Sequence, residues 1–261
     1  MTRTSIFALL MLYTCQLVSA AERPNILFIF TDDQSYRTVS CYPEAYPWVK
    51  TPNIDALAKR GVRFDQSYVQ SPICGPSRMS FYTGRYVRSH GATWNGFPLR
   101  VGEPTLGDHL REIGVTSSLV GKTHMRPDED GMKRLGIDPE STIGALVSQC
   151  GFEEYIRDDG TNAATDKNRH AEDYERYLRE HGMDGETPWE EWANTSIGPD
   201  GEKKSGWFLE NAPLPARVPK EYSETAWLTT RGIEFMEEQG NDPWLCHLSY
   251  IKPHWPYMAP A

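Results

Sequence analysis

Positive charge is in short supply in this sequence: 27 Lys and Arg stand against 36 Asp and Glu, a formal net charge of −9. That balance argues against nucleic acid or an anionic membrane as the main partner. An anionic substrate would need a local cluster of cations. Long apolar runs are also missing. The stretch from Ile6 to Tyr13 is too short to span a bilayer as a helix, and it lies between Arg3 and the small residues Val18-Ser19-Ala20. Residues 1–20 therefore read as a cleaved secretory signal, with Leu12-Tyr13-Thr14-Cys15 a poor match to a lipoprotein box. The expectation is an exported protein, periplasmic or extracellular, with no membrane partner. Cysteine is scarce, five in 261 residues. If Cys15 leaves with the signal, Cys41, Cys74, Cys150 and Cys246 remain. In an oxidising compartment that even set suggests two disulfides. The alternatives are buried small residues or a single pair, with Cys74 set apart by its neighbours. There is no internal repeat and no low-complexity segment. A chain 39% hydrophobic and 24% charged, with 21 Gly and 19 Pro, can bury the core of one large, loop-rich domain.

Asn25-Ile26-Leu27-Phe28-Ile29-Phe30 is a continuous apolar run ending in Thr31-Asp32-Asp33, the pattern of a central parallel strand buried on both faces. Thr51-Pro52-Asn53 opens a helix with Ile54, Leu57 and Ala58 on one face and Gly61 after its end. Thr105 caps another that runs to Ile113 and stops at Gly114. Thr116 to Val120 reads as a second buried strand, ending in Gly121-Lys122-Thr123-His124. From about 125 to 219 the chain turns polar and Gly- and Pro-rich, an excursion over the top of the sheet with a helix near His170 to Glu180. A helix over Ser223 to Glu238 and a strand over Trp244 to Ile251 follow, the latter leading into Lys252-Pro253-His254-Trp255-Pro256. Strand and helix alternate, so the fold class is α/β: a doubly wound, mostly parallel sheet sandwiched by helices. Three of the strands end in polar groups, and ligands of open parallel sheets bind at carboxyl ends. Asp32-Asp33, Lys122, His124 and His254 can thus meet at one edge.

Two adjacent ionised carboxylates at a buried strand end repel, and a hard divalent ion relieves that repulsion. A solvated turn is the other reading of Asp32-Asp33. Gly75 and Pro76 set Cys74 on a tight turn ahead of a helix whose N-terminus favours anions. Arg78, one turn on, offers a planar fork. On these residues alone Cys74 remains open between a thiolate nucleophile, half of a disulfide and a buried thiol. Trp189, Trp192, Trp207 and Trp255 suit either stacking on a sugar or aryl ring or packing of core and lid. His90, His109, His170, His181 and His247 read as structural, Asp158-Asp159 as a solvated turn, and Lys203-Lys204 as exposed.

Cys74-x-Pro76-Ser77-Arg78 followed by Thr83-Gly84-Arg85 resembles the signature of the sulfatase family within the alkaline-phosphatase-like superfamily. The resemblance extends through Arg23-Pro24-Asn25, Thr51-Pro52-Asn53-Ile54-Asp55, Gly121-Lys122-Thr123-His124 and Pro253-His254-x-Pro256-Tyr257. It implies that a formylglycine-generating maturation enzyme oxidises Cys74. Asp32 and Asp33, with one oxygen of the modified Cys74, would bind Ca2+, with Mg2+ the lesser candidate. One hydroxyl of the hydrated aldehyde would attack sulfur in line and the second would expel sulfate, a route closed to Ser or Cys. Arg78 would hold the hydrate. Lys122 and His254 would bind sulfate oxygens, one of them near the leaving oxygen. His124 would orient the geminal hydroxyl or take its proton. The substrate so implied is a small-molecule or glycan sulfate ester. Fixed cations are what such a reaction needs, since charge develops on the leaving oxygen and the nucleophile.

The family places two further metal ligands and a substrate-binding Lys after the Pro-His-x-Pro segment, and this sequence stops at Ala261. The expectation is an apparently truncated, N-terminal portion of a sulfatase catalytic domain, residues 21–261. Three rivals stand beside it: a phosphonate or phosphodiester hydrolase with the same centre, a non-catalytic truncated homologue (a sulfated-glycan binder or a dead fragment in which Cys74 is never oxidised), and a thiol hydrolase using Cys74 with a paired His.

Overall fold

A computed structural model describes residues 23–160 and 171–261; the expected signal over 1–20, with Cys15, and His170 lie outside the described residues. In chain order the regular elements are β1 (Ile26–Phe30), α1 (Pro52–Arg60), α2 (Cys74–Thr83), α3 (Val87–His90), α4 (Leu106–Glu112) and β2 (Thr116–Gly121). They continue with α5 (Glu129–Leu135), α6 (Thr142–Val147), β3 (Glu153–Arg157), α7 (Ala171–Glu180), β4 (Thr195–Ile197), β5 (Lys203–Ser205), α8 (Glu224–Glu238) and β6 (Trp244–Ser249). The helices begin where local chemistry favours it. Asp108 accepts from both the backbone and the hydroxyl of Thr105 at the start of α4, at 3.0 and 2.8 Å. Ser223 Oγ accepts from the Ala226 N–H at the start of α8.

Four parallel strands form one sheet in the order β1-β6-β2-β3. Because side chains alternate across a strand, neighbours feed two different cores. Val120, Cys246 and Leu248 join Tyr174, Leu178, Trp227, Leu228 and Phe235 under α7 and α8. Leu119 and Leu245 join Met79, Tyr82, Cys150 and Phe152 on the other face, under α2. This is the expected α/β sandwich.

Three local expectations change. β1 is an edge strand, paired only with β6 among the described residues, and Ile26, Leu27 and Ile29 are 38%, 43% and 49% exposed. Phe28 and Phe30 meet Phe81 of α2 at ring-centroid distances of 4.6 and 5.4 Å, so one face is covered and the other is not. An apolar run carries no mark of which part of a protein covers it. The polar stretch 125–219 is not all excursion either. Within it β3 pairs with β2 at the far edge of the sheet, while β4 and β5 form a separate antiparallel pair. That pair is tied to the chain after His254 through the Ala216 N–H, which donates to the Ala259 carbonyl at 2.8 Å. The expected disulfides are absent: Cys41, Cys74, Cys150 and Cys246 are all free. Cys150 and Cys246 lie in cores on opposite faces of the sheet, which holds their sulfurs apart.

Candidate active site

The carboxyl ends of β1, β2 and β6 carry Asp32-Asp33, Lys122-x-His124 and His254, and the N-terminus of α2 brings Cys74 to the same edge. One oxygen of Asp32, the Cys74 sulfur and a ring nitrogen of His254 all lie within 4.8 Å of one another. Lys122 Nζ donates to Asp32 Oδ2 at 2.5 Å, and Arg78 Nη2 stands 3.6 Å from Asp32 Oδ1. His254 Nε2 lies 3.7 Å from Asp33 Oδ2. Residues distant in sequence thus converge, as the strand-end rule requires.

Local backbone geometry makes the convergence possible. Gly121, with φ +104°, ends β2, and a Cβ there would lie 2.0 Å from the Ser249 carbonyl oxygen. Only Gly permits this approach. The Lys122 N–H then donates to that same carbonyl at 2.9 Å, which fixes where the Lys122 side chain departs. Asp33 and His124 both adopt φ near +60°, a costly conformation for non-Gly residues that turns each chain sharply off its strand. Asn95 Oδ1 accepts the Gly75 N–H at 2.8 Å and steadies the residue after Cys74.

Burial sets the electrostatics. Asp32, Arg78 and Lys122 are only 4%, 2% and 3% exposed. Burial works to raise the Asp32 carboxyl, but Lys122 and then Arg78 outweigh it and hold it below the ordinary value. Arg78 is fixed by hydrogen bonds from Nη1 to the Lys122 carbonyl and Ser249 Oγ, both 2.8 Å, and its guanidinium covers the Phe30 ring. Its Nη2 has no hydrogen-bond acceptor, although it is buried. His124 is pushed down to about 4, first by burial and then by Lys122, so its ring is neutral near pH 7. Its buried Nδ1 also lacks a partner. Burial, then Asp32, raises the Cys74 thiol, the reverse of what a thiolate nucleophile needs.

Asp33 is not one of the three clustered ligand atoms; its side chain is half exposed and faces His254. Trp189 is buried in the core, whereas Trp207 and Trp255 are partly exposed with ring centroids 4.5 Å apart. His90 and His247 are buried structural residues, bonded to Ser80 and Tyr82. Lys203 is exposed and Lys204 pairs with Glu202. Asp158-Asp159 is not a solvated turn. Asp158 is buried, and burial followed by Glu224 raises its carboxyl well above the ordinary value. Asp159 pairs with Arg157 at 2.6 Å and accepts the His124 N–H at 3.0 Å, so it braces the β2 tip. The signal was present, another Asp-Asp at a strand end, but the strand Glu-Glu-Tyr-Ile-Arg is too polar to read as one.

A family model described as Sulfatase matches residues 24–261. The chain is similar to the "multifunctional alkaline phosphatase superfamily protein PehA" of Trinickia caryophylli, 28% identical over 92% of this chain and 43% of that protein. It is 33% identical to the N-acetylglucosamine-6-O-sulfatase of Bacteroides thetaiotaomicron over 44% of this chain and 20% of that protein. Among solved structures it resembles the phosphonate monoester hydrolase of Silicibacter pomeroyi, with TM-score 0.71 and 27% identity over 92% of this chain and 43% of that one. The chain therefore spans less than half the length of these relatives.

Proposed function

This chain belongs to the sulfatase family, and on that premise we propose that it carries the nucleophile half of an exported sulfuric ester hydrolase acting on aryl or carbohydrate sulfate monoesters. The observation that carries the proposal is the convergence of Asp32, Cys74 and His254 within 4.8 Å, with Lys122 and Arg78 against the same carboxylate. Three cationic or protonatable side chains, Arg78, Lys122 and His254, surround one acidic strand tip on a protein of net charge −9. That is where an anion can be held.

The donor set fits a hard cation. Asp32 and Asp33 offer carboxylate oxygens, and position 74 would add a third oxygen once its thiol is oxidised. Ca2+ accepts such irregular sets more readily than Mg2+, which demands near-ideal octahedral geometry. When bound, the ion would neutralise charge on the oxygens around the reacting sulfur. Conversion of Cys74 to formylglycine by a maturation enzyme would replace a thiol by a hydrated aldehyde, whose two hydroxyls serve for attack and for release. The raised Cys74 thiol and the neutral His124 fit that chemistry better than a Cys–His thiol hydrolase.

Around position 74 the chain's own residues have distinct tasks. Arg78 is held rigid through Nη1, which leaves Nη2 to receive an anionic oxygen. Lys122 screens Asp32 and contacts a sulfate oxygen. His124, neutral and with Nδ1 unpartnered, accepts the proton of a hydroxyl at position 74. Cleavage breaks the S–O bond to the leaving alcohol, whose oxygen must take up a proton. His254, 30% exposed where Lys122 is 4%, is the group placed to supply that proton.

Likeness to a phosphonate monoester hydrolase favours a second reading, in which the same residues act on phosphorus. The test is hydrolysis of 4-nitrophenyl sulfate and of a phenylphosphonate monoester by the full-length protein, matured together with a formylglycine-generating enzyme. A kcat/KM at least tenfold higher for the sulfate is expected. Preference for the phosphonate would transfer the assignment to the second reading, and turnover of neither would end both.

A further inference from the structure

His254 sits on a loop in which two prolines limit the backbone hydrogen bonds available. Pro253 and Pro256 have no N–H to give. Within the loop the His254 N–H donates to the Ile251 carbonyl at 3.0 Å, the Pro256 carbonyl accepts the Met258 N–H at 2.9 Å, and His254 Nδ1 donates to the Trp255 carbonyl. Residues Lys252, Pro253 and Pro256 also wall a cavity of about 570 Å3 that they share with Trp189, Val218 and Glu224, so on that side the loop packs against space. The Lys252 side chain closes the loop end to end. Lys252 Nζ donates to the Pro256 carbonyl at 2.6 Å, spanning the three residues with His254 in the middle.

Two buried acids act electrostatically on this ammonium. Glu224, at the start of α8, is buried and accepts the Trp189 Nε1–H at 3.1 Å through Oε1. Asp158, at the end of β3, is buried with Oδ2 unpartnered. Burial raises the Asp158 carboxyl, and Glu224 adds to the effect. Burial depresses the Lys252 ammonium, while Glu224 and then Asp158 oppose that.

We propose that Lys252 is a positioning residue: its ammonium, bonded to the Pro256 carbonyl, brackets the 252–256 loop and fixes His254 toward the leaving-group oxygen. The inference rests on the role given above to His254. Lys252 does not touch the substrate, because its ammonium is committed to the Pro256 carbonyl.

The test compares Lys252→Met, Lys252→Gln and Lys252→Arg in the full-length, matured protein, alone and combined with His254→Ala. Lys252→Met and Lys252→Gln lower kcat by about 10- to 100-fold, the scale of a displaced catalytic group. The loss is larger for esters of poorly leaving alcohols, which depend most on a donated proton. In the His254→Ala background neither variant costs more than about twofold, and Lys252→Arg restores most of the rate. Equal losses with and without His254, or a rise in KM alone, would overturn the bracket and mark Lys252 as structural or as a direct sulfate ligand. A separate readout needs no turnover: the His254 imidazole resonance in the resting protein moves in Lys252→Met and returns in Lys252→Arg. If that shift occurs while His254→Ala keeps full activity, the bracket stands and the role given to His254 fails. If the resonance does not move, the bracket fails whatever the kinetics.

Discussion

Replacing Arg78 by Met is the sharpest perturbation of this site. The guanidinium is 2% exposed, donates to the Lys122 carbonyl and Ser249 Oγ at 2.8 Å, and stands 3.6 Å from the Asp32 carboxylate. Removing one member of a buried charge cluster costs about 3–5 kcal/mol, mostly because the remaining charge is left poorly compensated. Lys122 still faces Asp32 at 2.5 Å, so the lower end, about 3 kcal/mol, is expected. Arg78→Lys keeps the charge but cannot reach both acceptors, and should cost about 1–2 kcal/mol. The Asp32 carboxyl adds a pH signature. Its value in the folded protein lies below the ordinary 3.8, so it contributes stability above that value that is lost as pH falls through the folded one. Without Arg78 the folded value rises toward 3.8 and the contribution shrinks. Urea denaturation of the full-length protein at pH 7 and across pH 5 to 3 reads both effects. A cost under 1 kcal/mol for Arg78→Met, or an unchanged acid profile, would refute the claim that Arg78 and Asp32 share a buried electrostatic centre.

Three further outcomes follow. The His124 ring is pushed from 6.5 to about 4 on folding, so wild-type stability is complete above 6.5 and declines as pH falls toward 4. His124→Gln should lose less stability than wild type between pH 7 and pH 5 in the same denaturation assay, and an equal loss contradicts the depressed value. Gly121→Ala places a Cβ 2.0 Å from the Ser249 carbonyl at φ +104°, and should destabilise by about 2–4 kcal/mol. Wild-type unfolding of that variant would mean that the β2–β6 tips are not so closely apposed. In protein made without the maturation enzyme, the raised Cys74 thiol should react with iodoacetamide at pH 7.5 more slowly than glutathione, and Asp32→Asn should speed it. Faster alkylation than glutathione would restore the thiolate reading.

The site was more legible in sequence than the sheet was. Asp32-Asp33, Lys122-x-His124 and His254 each follow an apolar run, and parallel strands align their carboxyl ends, so three local patterns were enough to predict one meeting point. Cys74 and Arg78 share a helical turn, which settles their mutual placement without tertiary information. What failed depended on partners that no local pattern records. The run Ile26 to Phe30 looks equally apolar at the centre or edge of a sheet, and here it has one neighbour and one covered face. β3 carries two glutamates and an arginine in five residues, suited to an edge and invisible to a search for apolar runs. With β3 unread, Asp158 passed for a loop residue, and its burial beside Glu224 went unseen. Even cysteine counts imply disulfides only when the fold brings sulfurs together, and β6 and the β3 approach put Cys246 and Cys150 on opposite faces.

In the proposed centre, position 74 is an oxidised side chain held beside the Asp32 carboxylate. The most direct measurement is the intact mass of the proteolytic peptide spanning Cys74, taken from full-length protein produced with a formylglycine-generating enzyme. A peptide about 18 Da lighter than the thiol form, trapped by an aldehyde-reactive hydrazide, is the predicted result. An unshifted, alkylatable thiol in protein that nonetheless hydrolyses the ester would contradict it.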